Sequence, residues 1–113
     1  MHEYAVTQGM LQTVIQEATK AGASKITEIR LVIGDLSTII DESVQMYFDI
    51  MSEDTIAQGA KLVFSRVKAR FRCTVCGNDY EKPAKGFDCP TCGGMGLPTD
   101  IGKEFYIESI DVE

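Results

Sequence analysis

Apolar residues recur at Val6, Met10, Val14 and Ala18, with Leu11 and Ile15 widening the stripe and Gln8, Gln12, Gln16 and Lys20 opposite them. A spacing near four with a polar back predicts an amphipathic helix over residues 4–21. Gly22 stands where a C′ glycine would end it. Gly9 costs a helix interior roughly 1 kcal/mol against alanine, so a close packing contact is expected there. Over residues 26–33 the period falls to two: Ile29, Leu31 and Ile33 alternate with Glu28, Arg30 and Val32, which predicts a strand with one buried face. Val44, Tyr47, Phe48 and Met51 restore helical spacing over 42–51, with Asp41 placed as N-cap. A second strand is expected over 61–72. Its alternation changes phase, from Leu62 and Phe64 to Val67, Ala69 and Phe71, so a bulge or twist is expected near Ser65-Arg66. The last strand, 104–112, sets Phe105 and Ile107 against Tyr106 and Ile110.

Between the second and third strands lie all four cysteines, as Cys73-Thr74-Val75-Cys76-Gly77 and Cys89-Pro90-Thr91-Cys92-Gly93. Two intervening residues let one tight turn aim two sulfurs at one ion, and four thiolates close a tetrahedral zinc shell with no open position. A glycine after each second cysteine permits the positive φ that turns backbone N–H groups toward the sulfurs. The doubled motif is strong where a single pair is weak. Two disulfides or a redox dithiol are the competing readings. Nothing suggests secretion, however, and a thioredoxin-like site needs only one pair. The stretch reads as a zinc ribbon on Cys73, Cys76, Cys89 and Cys92.

The expected fold is therefore α+β: two helices on a mixed three-stranded sheet, with the four-cysteine ribbon inserted. Strand–helix–strand order favours a right-handed crossover and a parallel pair. The ribbon looks like an elaborated hairpin tip, the third strand returning antiparallel to the second. Residues 1–70 and 103–113 form one expected domain and 71–102 the ribbon domain.

At 113 residues, 44% hydrophobic and 25% charged, the chain has the makings of one ordinary globular domain. The net charge of −6 argues against a surface built wholly to grip nucleic acid. One row, Arg66, Lys68, Arg70 and Arg72, keeps a nucleic-acid-binding or protein-interaction ribbon as the alternative. No aromatics interleave with that row as a base-stacking surface would want, and it also suits a solvated strand face. The apolar stretches are short, so no membrane span is expected. Met1-His2-Glu3-Tyr4 lacks the basic start and apolar run of a signal peptide, and thiols kept for metal point to a reducing cytoplasm. With one histidine, no phosphate loop and committed cysteines, no nucleophile–base pair can be nominated, so no enzyme activity is expected.

The single histidine, His2, directly follows Met1. The Met1 amine and the His2 backbone nitrogen close a five-membered chelate ring on a metal; that nitrogen and the His2 imidazole close a six-membered one. Three nitrogens in a plane with an open fourth corner suit Ni(II) or Cu(II). Glu3 can add its amide nitrogen or carboxylate, and Asp41 is a further donor if the fold brings it near. The plainer reading is a terminal histidine without duty.

Met1-His2-Glu3-Tyr4, the strand end Ile33-Gly34-Asp35-Leu36-Ser37, the two knuckles and the closing Gly102-Lys103-Glu104-Phe105-Tyr106-Ile107 together resemble the HypA/HybF family, in the same order along essentially the whole chain. These are nickel metallochaperones for hydrogenase and, in some bacteria, urease maturation. The resemblance implies that His2 is the principal nickel ligand, with Glu3 and the Met1 amine nearby, and that the four cysteines hold structural zinc. It further implies a maturation GTPase of the HypB type as partner and delivery to the hydrogenase large subunit precursor. Some members carry histidines beside their zinc cysteines; this chain has none.

Overall fold

A computed structural model describes residues 2–83 and 86–113, and His2 by its backbone alone. The chain runs as α1 (His2–Lys20), β1 (Ile26–Gly34), α2 (Asp41–Met51), β2 (Lys61–Val67), β3 (Arg70–Cys73), β4 (Asp79–Glu81), β5 (Gly96–Pro98) and β6 (Phe105–Val112). The strands form two sheets, in the orders β2-β1-β6 and β4-β3-β5. The chain divides into two compact units: Met1–Val32, Thr38–Ser65 and Tyr106–Glu113 make one, Ile33–Ser37 and Arg66–Phe105 the other. Among the described residues no helix is long and apolar enough to cross a membrane.

In the first unit most of the predicted stripe is buried: Met10, Leu11, Val14 and Ala18 of α1 join Ile29 and Leu31 of β1 and Val44 and Phe48 of α2, while Val6 and Ile15 are half-buried. The two helices pack against each other, with the Tyr4 and Tyr47 rings edge to face at 5.5 Å. The first helix starts earlier than its apolar stripe. His2 and Glu3 are helical, and an acid in the first turn suits the positive end of the helix dipole. It closes with Gly22 N–H on Thr19 O and Ala23 N–H on Ala18 O, the paired bonds of a Schellman motif. The expected packing contact at Gly9 is absent: a Cβ there would meet nothing within 4 Å, and nothing else in the structure explains the residue.

Three further expectations need correction. Asp41 does not cap α2; it is the first helical residue, and extended Ile40 is the N-cap, with no side-chain capping bond. The Ile40 carbonyl accepts the Val44 N–H at 3.1 Å, so the helix closes its first turn one residue before Asp41 could serve. The last strand does not lie beside β2. It runs antiparallel along the other edge of β1, with Glu113 N–H on Lys25 O at one end and Gly34 N–H on Glu104 O at the other. β2 follows β1 in parallel, linked by Ile26 N–H to Ile56 O near the start and Asp35 N–H to Val67 O near the end, so the sheet is mixed. Within β6, Ile110, expected on the side opposite Ile107, lines one crevice together with Ile107 and Ser109, against Thr13, Val14 and Glu17 of α1.

The second unit centres on β3, with Phe71 opposite Tyr80 on one side and Pro98 on the other. Its core is small: Ala69, Phe71, Cys73, Tyr80 and Cys89, with Leu36 packed against it. The Phe71 ring lies 6.0 Å from that of Tyr80 and 5.6 Å from that of Phe87. The phase change expected as a bulge is a true break: β2 ends at Val67, and Ala69 and Phe71 turn inward to this second core. A cluster this small needs a staple beyond its apolar contacts.

Candidate metal centres

The first cysteine pair leaves the end of β3 and enters a tight turn. Gly77 N–H closes it onto Cys73 O at 3.1 Å, and Val75 and Cys76 N–H groups point at the Cys73 sulfur, each at 3.4 Å. The second pair repeats the turn, with Gly93 N–H on Cys89 O at 2.8 Å and Gly94 N–H on the Cys92 sulfur at 3.4 Å. Gly77 and Gly93 adopt φ of 77° and 74°, the left-handed region that spacing alone leads one to expect. An antiparallel bridge between Asp88 and Met95, and Thr74 N–H on Met95 O, hold the second knuckle against the first.

All four sulfurs lie within 4.8 Å of one another. Cys73 and Cys92 are 3.4 Å apart and Cys76 and Cys89 3.7 Å apart. A disulfide needs about 2.05 Å, so these are free thiols. Tetrahedral zinc with Zn–S of about 2.3 Å spaces its sulfurs roughly 3.8 Å, so the donor set fits that ion. The sulfurs are not electrically equivalent. N–H groups of Cys76 and Val75 hold the Cys73 thiol down at about 6. Those of Cys92 and, after burial opposes, Thr91 lower Cys89. Cys92 is pushed up to about 12: the Gly94 N–H favours its thiolate, but the neighbouring sulfurs of Cys73, Cys76 and Cys89, together with burial, outweigh it. Four anions cannot crowd together unless a cation joins them. Burial, and then the sulfurs of Cys89 and Cys73, also raise the Tyr80 phenol.

The second expected centre falls partly outside the described residues: Met1 lies beyond them, and so does the His2 side chain. Glu3 is described. Its backbone carbonyl accepts the Thr7 hydroxyl, and its carboxylate oxygen Oε2 accepts the Ile40 N–H at 3.3 Å. The start of α1 thus touches the start of α2, beside Asp41, one of whose carboxylate oxygens is shielded from water. Ile40 as a partner of Glu3 had no signal in the sequence. Because α1 begins at His2, the amide nitrogens of its first turn have no intrahelical acceptor.

The basic row does not form an open cationic surface. Arg72 Nε meets Asp79 at 2.8 Å, Lys68 and Arg70 lie 3.7 and 3.9 Å from Glu81, and Arg66 lies 4.0 Å from Asp35. Arg72 and Asp79 are cross-strand partners, and so are Arg70 and Glu81.

Residues 1–112 match the protein family described as "Hydrogenase/urease nickel incorporation, metallochaperone, hypA". The chain is 53% identical to the hydrogenase maturation factor HypA of Caldanaerobacter subterraneus subsp. tengcongensis, over the whole of both chains. It is 43% identical to that of Dehalococcoides mccartyi, covering all of this chain and 95% of that one. Its fold is similar to the solution structure of the Ni metallochaperone HypA from Helicobacter pylori, with a TM-score of 0.67 at 23% identity over 99% of this chain and 97% of the other. The chain belongs to the HypA family of hydrogenase and urease nickel-incorporation metallochaperones.

Proposed function

We propose that this protein binds Ni(II) as cargo at its N-terminus and hands it on for maturation of [NiFe] hydrogenase, and of urease where that enzyme is the recipient. The nickel donors are the Met1 amine, the His2 amide nitrogen and the His2 imidazole. Glu3 stands beside them, and Asp41, Glu3 or a group of the receiving protein completes the fourth corner. The observation that supports this reading is the Glu3–Ile40 hydrogen bond, which joins the first turn of α1 to the residue that precedes Asp41 at the start of α2. The positive end of the α1 dipole also favours the negative charge a metal-bound amide nitrogen acquires. Weak, exchangeable binding at an open nitrogen site suits a carrier that must give up its ion.

Zinc at Cys73, Cys76, Cys89 and Cys92 is structural in this reading, holding the ribbon of residues 71–102 while residues 1–70 and 103–113 carry the nickel. When bound, the ion supplies the positive charge that lets four crowded thiolates coexist; no catalytic step is assigned to it. The partners are a maturation GTPase of the HypB type and the hydrogenase large subunit precursor, met in the cytoplasm. The nucleic-acid alternative is disfavoured by the acids that face Arg66, Lys68, Arg70 and Arg72.

The test is a nickel titration by calorimetry on three forms: untagged protein, protein extended by a few residues before Met1, and His2→Ala. Extension turns the amine into an amide and breaks the five-membered ring; His2→Ala removes the six-membered one. Both should weaken nickel binding at least roughly tenfold and leave zinc content and helix signal unchanged. Equal affinity in all three forms places the site elsewhere.

A further inference from the structure

Residues 31–60 contain Asp35, Asp41, Glu42, Asp49, Glu53 and Asp54 and no lysine or arginine, while the acids and bases of the rest of the chain balance. The whole net charge of −6 therefore belongs to one stretch, and α2 lies within it. This helix also has more apolar surface than its core uses. Val44 and Phe48 face inward and are buried, but Met46 and Ile50, likewise one turn apart, are 50% and 63% exposed. Together with Phe64 of β2 they line an open groove of about 570 Å³, rimmed by Asp41, Glu42 and Asp49. Single exposed apolar residues are ordinary; a paired stripe with an aromatic floor and a one-signed rim is not.

We propose that this groove docks a basic amphipathic segment of a partner protein, whose apolar residues seat on Met46, Ile50 and Phe64 while its lysines or arginines meet Glu42 and Asp49. Charge complementarity selects the occupant: a neutral or acidic segment gains no electrostatic attraction, and this chain's own basic row faces its own acids. Methionine suits such a surface because its flexible, polarisable side chain adapts to the residue it meets. Helix-in-groove recognition by anchors one turn apart fits the spacing of 46 and 50. The groove runs along α2 from Asp41 to Ile50, and Glu3 reaches Ile40, the residue just before it.

The probe is a fluorescent sixteen-residue helix of leucine and lysine, titrated against the zinc-loaded protein without nickel and read by anisotropy, beside its leucine and glutamate counterpart. The groove reading and the nickel reading thus fail separately. The basic peptide should bind and the acidic one should not. Met46→Asp and Ile50→Lys should each raise Kd roughly tenfold or more, as loss of a buried anchor does. Glu42→Lys/Asp49→Lys should do the same, whereas Glu53→Lys/Glu108→Lys, with the same charge change away from the groove, should move Kd less than about twofold. All these positions are exposed, so helix content by circular dichroism should stay unchanged. Equal loss in the two charge variants, or full affinity in Met46→Asp, means diffuse attraction to an acidic protein and overturns the proposal. Sedimentation showing a dimer that Ile50→Lys dissociates also overturns it, in favour of a second copy as occupant.

Discussion

A Cβ at Gly34 would lie 2.1 Å from the carbonyl carbon and oxygen of Gly102, so two backbones meet where only hydrogen atoms fit. The approach is fixed on both sides, by Gly34 N–H on Glu104 O and by Leu36 N–H on Gly102 O, 2.7 Å each. Gly34→Ala should therefore cost about 2 kcal/mol or more, at the upper end of overpacking, and lower the thermal midpoint by several degrees. An unchanged melting curve would mean the two segments part freely. The sequence marks Gly34 as a strand end and says nothing of Gly102, because the meeting joins residues far apart in the chain. The cysteines are the opposite case. Their spacing, and the glycine after each pair, encode the knuckle locally, so each turn and its sulfur-directed amides are legible from five consecutive residues. Asp41 misleads because it is the better capping residue in sequence, while the helix starts from Ile40, which has no capping side chain. The Ile40–Val44 backbone bond, which no side-chain chemistry announces, sets the start.

At the scale of elements, β6 is tied to β1 by Arg30, whose two terminal nitrogens meet Asp111 at 3.2 and 2.6 Å and Ser109 at 2.9 Å. Glu28 approaches the same guanidinium at 2.7 Å. The Arg30 hydrogen bond holds the Asp111 carboxyl below its ordinary 3.8, against some desolvation. The native state thus binds this proton less readily than the unfolded chain. The stabilisation is complete above the unfolded value and is lost as pH falls through the lower folded one. Wild type should accordingly lose thermal stability more steeply below about pH 4 than Asp111→Asn does. Melting curves from pH 6 to pH 2 check this, and parallel curves would remove the pair from any role in acid sensitivity. The alternation in residues 61–72 registers the departure from one sheet into another, but periodicity reports a change of face without naming its cause. The partner of β6 was equally hidden. A chain returning from an inserted ribbon can join either edge of a sheet with the same alternation.

At the scale of the whole molecule, two compact units rest on different kinds of core. The unit containing both helices buries long aliphatic side chains, among them Ile26, Ile29, Leu31, Val44 and Phe48. The other buries two of its cysteines among very few apolar neighbours. Stripping zinc with a strong chelator, or replacing Cys73 with serine, should therefore abolish amide dispersion in residues 66–105 while helical signals persist. Nuclear magnetic resonance of the treated protein measures both at once. Unchanged ribbon resonances would show that its small apolar cluster suffices without metal. Two helices on a mixed sheet with a cysteine insert were legible because each element carries its own period. The groove on α2 was not, since Met46 and Ile50 fall off the core stripe and gain meaning only beside Phe64.

Each knuckle shelters one sulfur and leaves the other open: Cys73 and Cys89 are buried, Cys76 and Cys92 exposed. The site therefore has a front and a back. Alkylating agents and oxidants should meet Cys76 and Cys92 before Cys73 and Cys89. A zinc ion held there would be open to a competing donor from that front, so how long it stayed would depend on access as well as on how tightly four thiolates hold.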